Sequence, residues 1–494
     1  MDAASKFKSL QANARVIKYY RSKIMKNISE SIQETFNEAL QVQGPAGFLE
    51  NLGWVYKDLY DIELDVVPCF PPDYDIYAHF VKEYHKALNV TIKNLIKSEP
   101  EASVLLTLYQ TLKDYKKTMK ELEIPPQYLE PPLLDGKEQG IIDDYLKLII
   151  KKLDEWTANL MKTEIAEFTT RAEPPEIDSD GMYGTQGAVI LFQMVNQQVD
   201  VGMESGQGAI LAKIIEEVNR VMRGVQNQWV KTLDAEFKKT VEGKPEEQIG
   251  GLDSYSIALA NDQIKSADFA EGLLNRIEGL VSEKYKGTIN EKLNDAIDGY
   301  LDVAKNCLHV LIGVIFNDLK PATKQLFTGA WYDGIMVQIV ETIRDYMSDC
   351  QEFLNPSLLD LLVDDLLETF IVQYLNGLAN SSKLKMPAAT DRIKEDIRLV
   401  FNFFSTLKPA KDLEVDFEVI DLVLGLLEAS KSMVFLSFWS FAKIHGPNIA
   451  FVEGLMKARG DLDRTAVNEV MESVKRKVKE ENLTDRELLN LRDA

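Results

Sequence analysis

Residues 142–160, IDDYLKLIIKKLDEWTANL, place apolar side chains at Ile142, Leu146, Ile149, Leu153, Trp156 and Leu160, alternately four and three residues apart. That spacing keeps one face of an α-helix apolar along its length, as in the seam of a helix packed lengthwise against another. The same rhythm recurs through most of the 494 residues. The fold class it predicts is all-α: an elongated rod of consecutive helical bundles, with more than about 60% of residues helical against a base of roughly one third.

Toward the N-terminus, Ile24, Ile28, Ile32, Phe36 and Leu40 predict a first helix from about Ala4 to Val42, ended by Gly44, Pro45 and Gly47. Further helices are expected near Phe48 to Tyr60, from Pro72 to Ser98 with Pro72 in the first turn, and from Glu101 to Glu123. Prolines 125, 126, 131 and 132 then exclude continued helix. Beyond the opening stretch, RAEPPEIDSDGMYG is the best candidate boundary, near residue 172.

Helices are next expected over about Thr185 to Val199, Gly208 to Val241, Ser254 to Lys286 and Glu291 to Asn317, with a break near DLKPAT. The chain therefore divides by sequence into regions 1–172, 173–330 and 331–494. In the last region Ser357 is a candidate N-cap for a helix burying Leu359, Leu362, Val363, Leu366 and Phe370. DLEVDFEVID (412–421) alternates as a half-buried strand would, while Phe417, Ile420, Leu424 and Leu427 form a helical face. Loop into helix is preferred, because no comparable strand offers itself for pairing.

With 78 acidic and 56 basic residues, the formal charge of −22 repels a phosphate backbone, so nucleic acid is a poor partner class. Cys69, Cys307 and Cys350 are too few and scattered for a disulfide framework and fit a reducing cytosol. The polar start lacks the apolar stretch of a signal peptide, so the sequons at Asn27, Asn89, Asn380 and Asn482 read as chance. Gly181 to Val199 carries no charge, but its Gln and Asn residues make it a costly membrane span.

Signatures of chemistry are missing from the sequence. The four histidines lack zinc-ligand spacing, and no nucleophile elbow or phosphate-cradling loop occurs. Asp143–Asp144 and Asp364–Asp365 read as solvated helix faces. No catalytic residue, metal or cofactor is assigned, and the chain is read as a scaffold, adaptor or tether. One charged cluster stands out: Lys475, Arg476, Lys477 and Lys479 could contact anionic lipid or an acidic partner. The aromatic residues Phe401, Phe403, Phe404, Phe435, Phe438, Trp439 and Phe441 read as core of the last bundle.

Four passages carry a family resemblance: LENLGWVYKDL (49–59), PPDYDIYAHFVKEYHKAL (71–88), GAVILFQMVNQQVDVGMESGQG (187–208) and LKMPAATDRIKEDIRLVFNFFS (384–405). Together, and in this order, they resemble the Sec-six subunit of the exocyst, also called exocyst component three. The resemblance implies a non-catalytic subunit of a vesicle-tethering complex, acting at the plasma membrane before SNARE-mediated fusion. It implies the other exocyst subunits as partners, with a SNAP-25-like t-SNARE and its Sec1/Munc18-type regulator. The implied location is cytoplasmic, with peripheral recruitment to plasma-membrane sites of secretion. The family's long N-terminal coiled-coil region looks mostly missing before Met1. The alternative is a helical-repeat adaptor or exocyst-like paralogue acting outside the complex.

Overall fold

The seam stretch folds as a single long helix, Gln139–Thr170, in a computed structural model that describes residues 19–244 and 248–484. Helix makes up 81% of the structure. Sixteen α-helices run in chain order among the described residues: α1 (Tyr20–Glu50), α2 (Gly53–Asp61), α3 (Ile76–Lys97), α4 (Ala102–Glu121), α5 (Gln139–Thr170), α6 (Gly187–Glu204), α7 (Gly208–Glu242) and α8 (Leu252–Glu278). They continue as α9 (Glu283–Thr323), α10 (Ile335–Phe353), α11 (Pro356–Ala379), α12 (Ala388–Phe404), α13 (Ala410–Glu428), α14 (Val434–His445), α15 (Ile449–Ala458) and α16 (Arg464–Glu480).

Along α5 the buried line differs from the expected seam. Ile142, Ile149 and Leu153 are buried, but Leu146, Trp156 and Leu160 are only half-buried. Tyr145, Thr157 and Met161 take the inner positions instead. Steps of four residues advance about 40° beyond a full turn, so the buried line 145–149–153–157–161 winds round the helix rather than following a straight seam.

The chain forms two compact units. One comprises Met1–Asn159, Leu191–Met222 and Ala270–Asp295; the other comprises Leu160–Ile190, Arg223–Phe269 and Ala296–Ala494. These units follow contact, whereas the three expected regions follow chain order.

In the first unit α1 lies against α3 and α4. The predicted start at Ala4 lies outside the described residues; of the predicted stop, Gly44 interrupts the helix, but Pro45 and Gly47 do not end it. Gly44 takes a left-handed φ of 71° and kinks the helix, after which the chain re-enters helix through Pro45 to Glu50. Proline is tolerated there because its missing N–H falls in the first turn of the resumed helix. The resumed turn buries Phe48, whose ring centroid is 6.0 Å from that of Phe36; Phe36 in turn meets Trp54 at 5.0 Å.

Two other boundaries move for local reasons. Pro72 belongs to a short 3₁₀ turn, and α3 begins only at Ile76, after Asp75 at φ 44°. The proline-rich loop after α4 contains 3₁₀ turns at Pro126–Tyr128 and Leu133–Gly136. It is tied to α3 where Asn89 Oδ1 accepts the Leu134 amide at 3.0 Å.

In the second unit, RAEPPEIDSDGMYG forms a small antiparallel hairpin, β1 (Glu176–Ile177) with β2 (Tyr183–Gly184). Asp178 Oδ1 accepts the amides of Asp180 and Met182, which turns the chain. The break near DLKPAT falls at its last residue: α9 runs past the expected Asn317 to Thr323, with Pro321 in its last turn. By length and composition α9 is apolar enough to cross a membrane, yet 67% of its apolar window is buried inside the fold.

Asn355, not Ser357, is the N-cap of α11, its Oδ1 accepting the Ser357 amide at 2.9 Å with Pro356 in the first turn. On α11 Leu362, Val363, Leu366 and Phe370 are buried, and Leu359 is half-buried. The passage 412–421 is helical throughout within α13, so neither a strand nor a leading loop forms there. Val415 is 71% exposed while Phe417 and Ile420 are buried, a 3.6-residue pattern.

Candidate interaction surface

The predicted basic cluster sits at the end of α16, and the helix is built to expose it. Asp463 caps the start by accepting the Ala466 amide at 2.7 Å. Ala466, Val467, Val470, Met471 and Val474 then form the buried stripe. The four basic residues follow that stripe and point away from it: Lys475, Arg476 and Lys479 are exposed, and Lys477 is half-buried.

Their surroundings differ. Lys475 Nζ donates to Glu453 Oε2 at 3.1 Å, and Lys457 Nζ reaches the other oxygen of the same carboxylate at 2.7 Å. The hydrogen bonds from these two ammonium groups hold the Glu453 carboxyl below its usual range. Lys477 Nζ donates to Glu481 at 2.5 Å, which raises its own pKa, and lies 5.6 Å from the centroid of the Trp439 ring. Among the described residues Arg476 and Lys479 have no ion-pair partner. The cluster is thus partly neutralised by its own neighbours, leaving two outward cations.

Beside α16 runs α14, where most of the expected aromatic core is found. Phe403, Phe404, Phe438 and Phe441 are buried, whereas Phe401, Phe435 and Trp439 are half-buried. Phe435 helps to line a cleft of 560 Å³ between α14 and α16, with Val470, Ser473 and an ion pair from Lys431 to Glu469 at 2.5 Å.

Several structural residues carried no signal in the sequence. Asn261 donates to the carbonyls of Tyr183 and Phe353 at 2.7 and 2.8 Å and accepts the Asn355 amide at 2.8 Å, so one side chain ties three segments. Buried Arg459 donates to the carbonyls of Leu426 and Ala429, satisfying the end of α13. In the first unit His85 is held between Tyr115 Oη at 3.0 Å and the Pro131 carbonyl at 2.9 Å, and burial lowers its pKa. It borders a cleft of 510 Å³ walled by Ile124, Pro125, Leu129 and Leu133. Only residues distant in sequence complete these arrangements. Among the described residues no group of three or more His, Cys, Asp or Glu side chains could hold a metal ion.

These features define a chain of packed helices whose notable site is a mixed basic and apolar surface. Its family is shown by comparison: the chain belongs to the exocyst complex component Sec6 family, whose model matches residues 2–464. Among similar proteins is the exocyst complex component sec6 of Schizosaccharomyces pombe, 29% identical over 95% of this chain and 63% of that protein. Another is SEC6 of Saccharomyces cerevisiae, 28% identical over 92% of this chain and 59% of that protein. The chain therefore spans about three fifths of the length of these relatives.

A solved structure of the C-terminal domain of the exocyst subunit Sec6p superposes with a TM-score of 0.66 and 26% identity, covering 73% of this chain and 97% of that domain. The crystal structure of M-Sec shares the fold, at a TM-score of 0.57 and 14% identity, over 91% of this chain and 77% of M-Sec.

Proposed function

We propose that the chain is a non-catalytic part of an exocyst vesicle-tethering subunit, acting in the docking of secretory vesicles at the plasma membrane before SNARE-mediated fusion. The observation that carries this reading is the family match across residues 2–464. The helical fold common to this chain and the Sec6p C-terminal domain supports it. Its partners on this reading are the other exocyst subunits, together with a SNAP-25-like t-SNARE and a Sec1/Munc18-type regulator. The protein works in the cytoplasm and is recruited peripherally to sites of secretion.

The family match is to a subunit named for its complex, which favours this reading over an adaptor acting outside that complex. Affinity purification of the chain from cells, followed by identification of bound proteins, tests the choice. Co-purification of several exocyst subunits is the expected result; their absence, with other partners present, would favour the adaptor.

On the same reading, Lys475, Arg476, Lys477 and Lys479 form a contact for an anionic surface, with Arg476 and Lys479 supplying most of the available charge. Replacing all four with Glu is expected to weaken co-sedimentation with anionic liposomes, most at low salt. Each basic residue near such a membrane contributes on the order of 1 kcal/mol, screened beyond a Debye length.

A further inference from the structure

Helix α14 carries an outer face that its neighbours leave open. Met433, at its N-cap, is 49% exposed, Leu436 is 55% exposed and Ile444 is 37% exposed. At 100° per residue, Trp439, Lys443, Leu436, Ser440, Met433 and Ile444 fall in that order within a sector of about 140°. The opposite side, with Val434, Phe438, Phe441, Ala442 and His445, is buried. Three large apolar side chains therefore share one exposed stripe with a half-buried tryptophan at its margin.

The charges carried by this segment itself have one sign. The 24 residues from Ala429 to Val452 contain no Asp or Glu, in a chain where 78 of 494 residues are acidic and about four would be expected. Lys443 Nζ lies 5.3 Å from the Trp439 ring centroid, and Lys477 of α16 approaches the same ring at 5.6 Å. Among the described residues Lys443 has no carboxylate partner. Arg476 and Lys479 extend the positive charge on the adjoining helix. Of the carboxylates on neighbouring elements, Glu453, Glu469, Glu480 and Glu481 are engaged by Lys475, Lys431 and Lys477, while Glu418 of α13 acts on His445, on the buried side of α14.

We propose that this face of α14 is a peripheral docking surface for an anionic lipid bilayer, with Met433, Leu436 and Ile444 entering the headgroup boundary. Trp439 sits at headgroup level and Lys443 extends to lipid phosphates. An apolar stripe inserts only shallowly, tryptophan favours the interface, and long lysine side chains keep their charge in water while their stems follow the apolar surface. The strong acidity of the rest of the chain repels such a surface, so the acid-free α14 face sets the orientation of approach. This rests on reading the end of the chain as an anionic-surface contact, and adds the apolar component that cations alone do not supply.

The experiment uses the whole chain with vesicles of phosphatidylcholine alone or mixed with phosphatidylserine, at two salt concentrations. Circular dichroism serves as the folding control. Wild type is expected to co-sediment with the mixed vesicles, and Met433→Ser with Leu436→Ser to reduce partitioning about fivefold or more at both salts, as loss of apolar insertion requires. Lys443→Glu should weaken binding mainly at low salt. Brominated lipid should quench tryptophan fluorescence in wild type, and Trp439→Phe should remove that quenching.

If the serine variant binds like wild type while the four-Glu variant of α16 does not, the contact is electrostatic only. The present proposal is then overturned, while the basic-cluster reading stands. If wild type ignores both vesicles, both readings of this surface fail, without bearing on assembly with exocyst subunits. If it instead self-associates in sedimentation velocity and the serine variant abolishes that, the stripe joins two copies of the chain and the lipid proposal is overturned.

Discussion

Trp331 Nε1 donates to Asp396 Oδ2 at 2.6 Å, joining the 3₁₀ turn Gly329–Asp333 to α12 inside the second unit. The same oxygen accepts Tyr374 Oη from α11 at 3.1 Å, and Arg392 Nε lies 3.1 Å from Oδ1. Asp396 has no exposed surface. Burial raises its carboxyl pKa, while the Trp331 hydrogen bond and the Arg392 charge work to lower it. Two hydrogen-bond donors and one guanidinium charge thus depend on one buried carboxylate.

Asp396→Leu is expected to destabilise the second unit by about 3–5 kcal/mol, because it strands buried donors and an arginine charge. Asp396→Asn keeps an acceptor for Trp331 and should be milder. Urea denaturation of both variants measures the difference; equal midpoints would remove the carboxylate from its central role.

Asp262 sets a pH dependence. Its Oδ2 accepts the Ala188 amide at 3.1 Å. Burial, with neighbouring Glu164 second, pushes its pKa up to about 8. The Glu164 carboxyl is itself raised, chiefly by burial. The folded state therefore holds a proton that the unfolded chain releases near pH 4, and stability falls as pH rises from there toward 8. Asp262→Asn should flatten that fall and be the more stable form near pH 8, by about 2 kcal/mol relative to the comparison two pH units lower. Denaturant midpoints across pH 5 to 9 report the slope.

The ion pair between Arg171 Nη1 and Glu236 Oε2, at 2.9 Å, has side chains only 3% and 2% exposed. Arg171→Met alone should destabilise the fold by leaving the buried Glu236 carboxylate with only the exposed Lys239 ammonium, 2.5 Å from its other oxygen, as a partner, whereas Arg171→Met with Glu236→Leu should recover much of the loss. A double-mutant cycle in urea tests the coupling.

Close backbone approach makes Gly454 sensitive. A Cβ there would lie 2.7 Å from the carbonyl oxygen of Ala379, where α15 meets α11. Gly454→Val should lower the melting temperature, with about 1–3 kcal/mol of overpacking strain. Gly224→Ala, which meets nothing within 4 Å, is the helical control and should be neutral or slightly stabilising.

Leu153 and Leu366 are 1% and 0% exposed and belong to different compact units. Leu153→Asp and Leu366→Asp should each cost several kcal/mol through an unpaired buried carboxylate. Half-buried Leu160 should tolerate aspartate better. Thermal melts in which Leu160→Asp equals Leu153→Asp would contradict the winding of the buried line on α5.

Helix was legible in the sequence because the 3.6-residue rhythm is a local property. Leu362, Val363, Leu366 and Phe370 repeat as a buried face whatever they meet, and Phe417 and Ile420 likewise mark α13 as helix. The family was legible in four ordered passages, and the basic cluster was visible as a run of charge. Tertiary structure decided what depends on partners far along the chain: that Tyr145 and Thr157 replace Leu146 and Trp156 inside, that Asn261 joins three segments, and that Glu453 and Glu481 take up Lys475 and Lys477. Burial and pairing are relations between surfaces, and a residue's own neighbours in sequence do not contain them. The open stripe on α14 belongs to the same class. Trp439 at its margin reads as core from sequence, and only the placement of α13 and α16 around that helix leaves Met433, Leu436 and Ile444 facing outward.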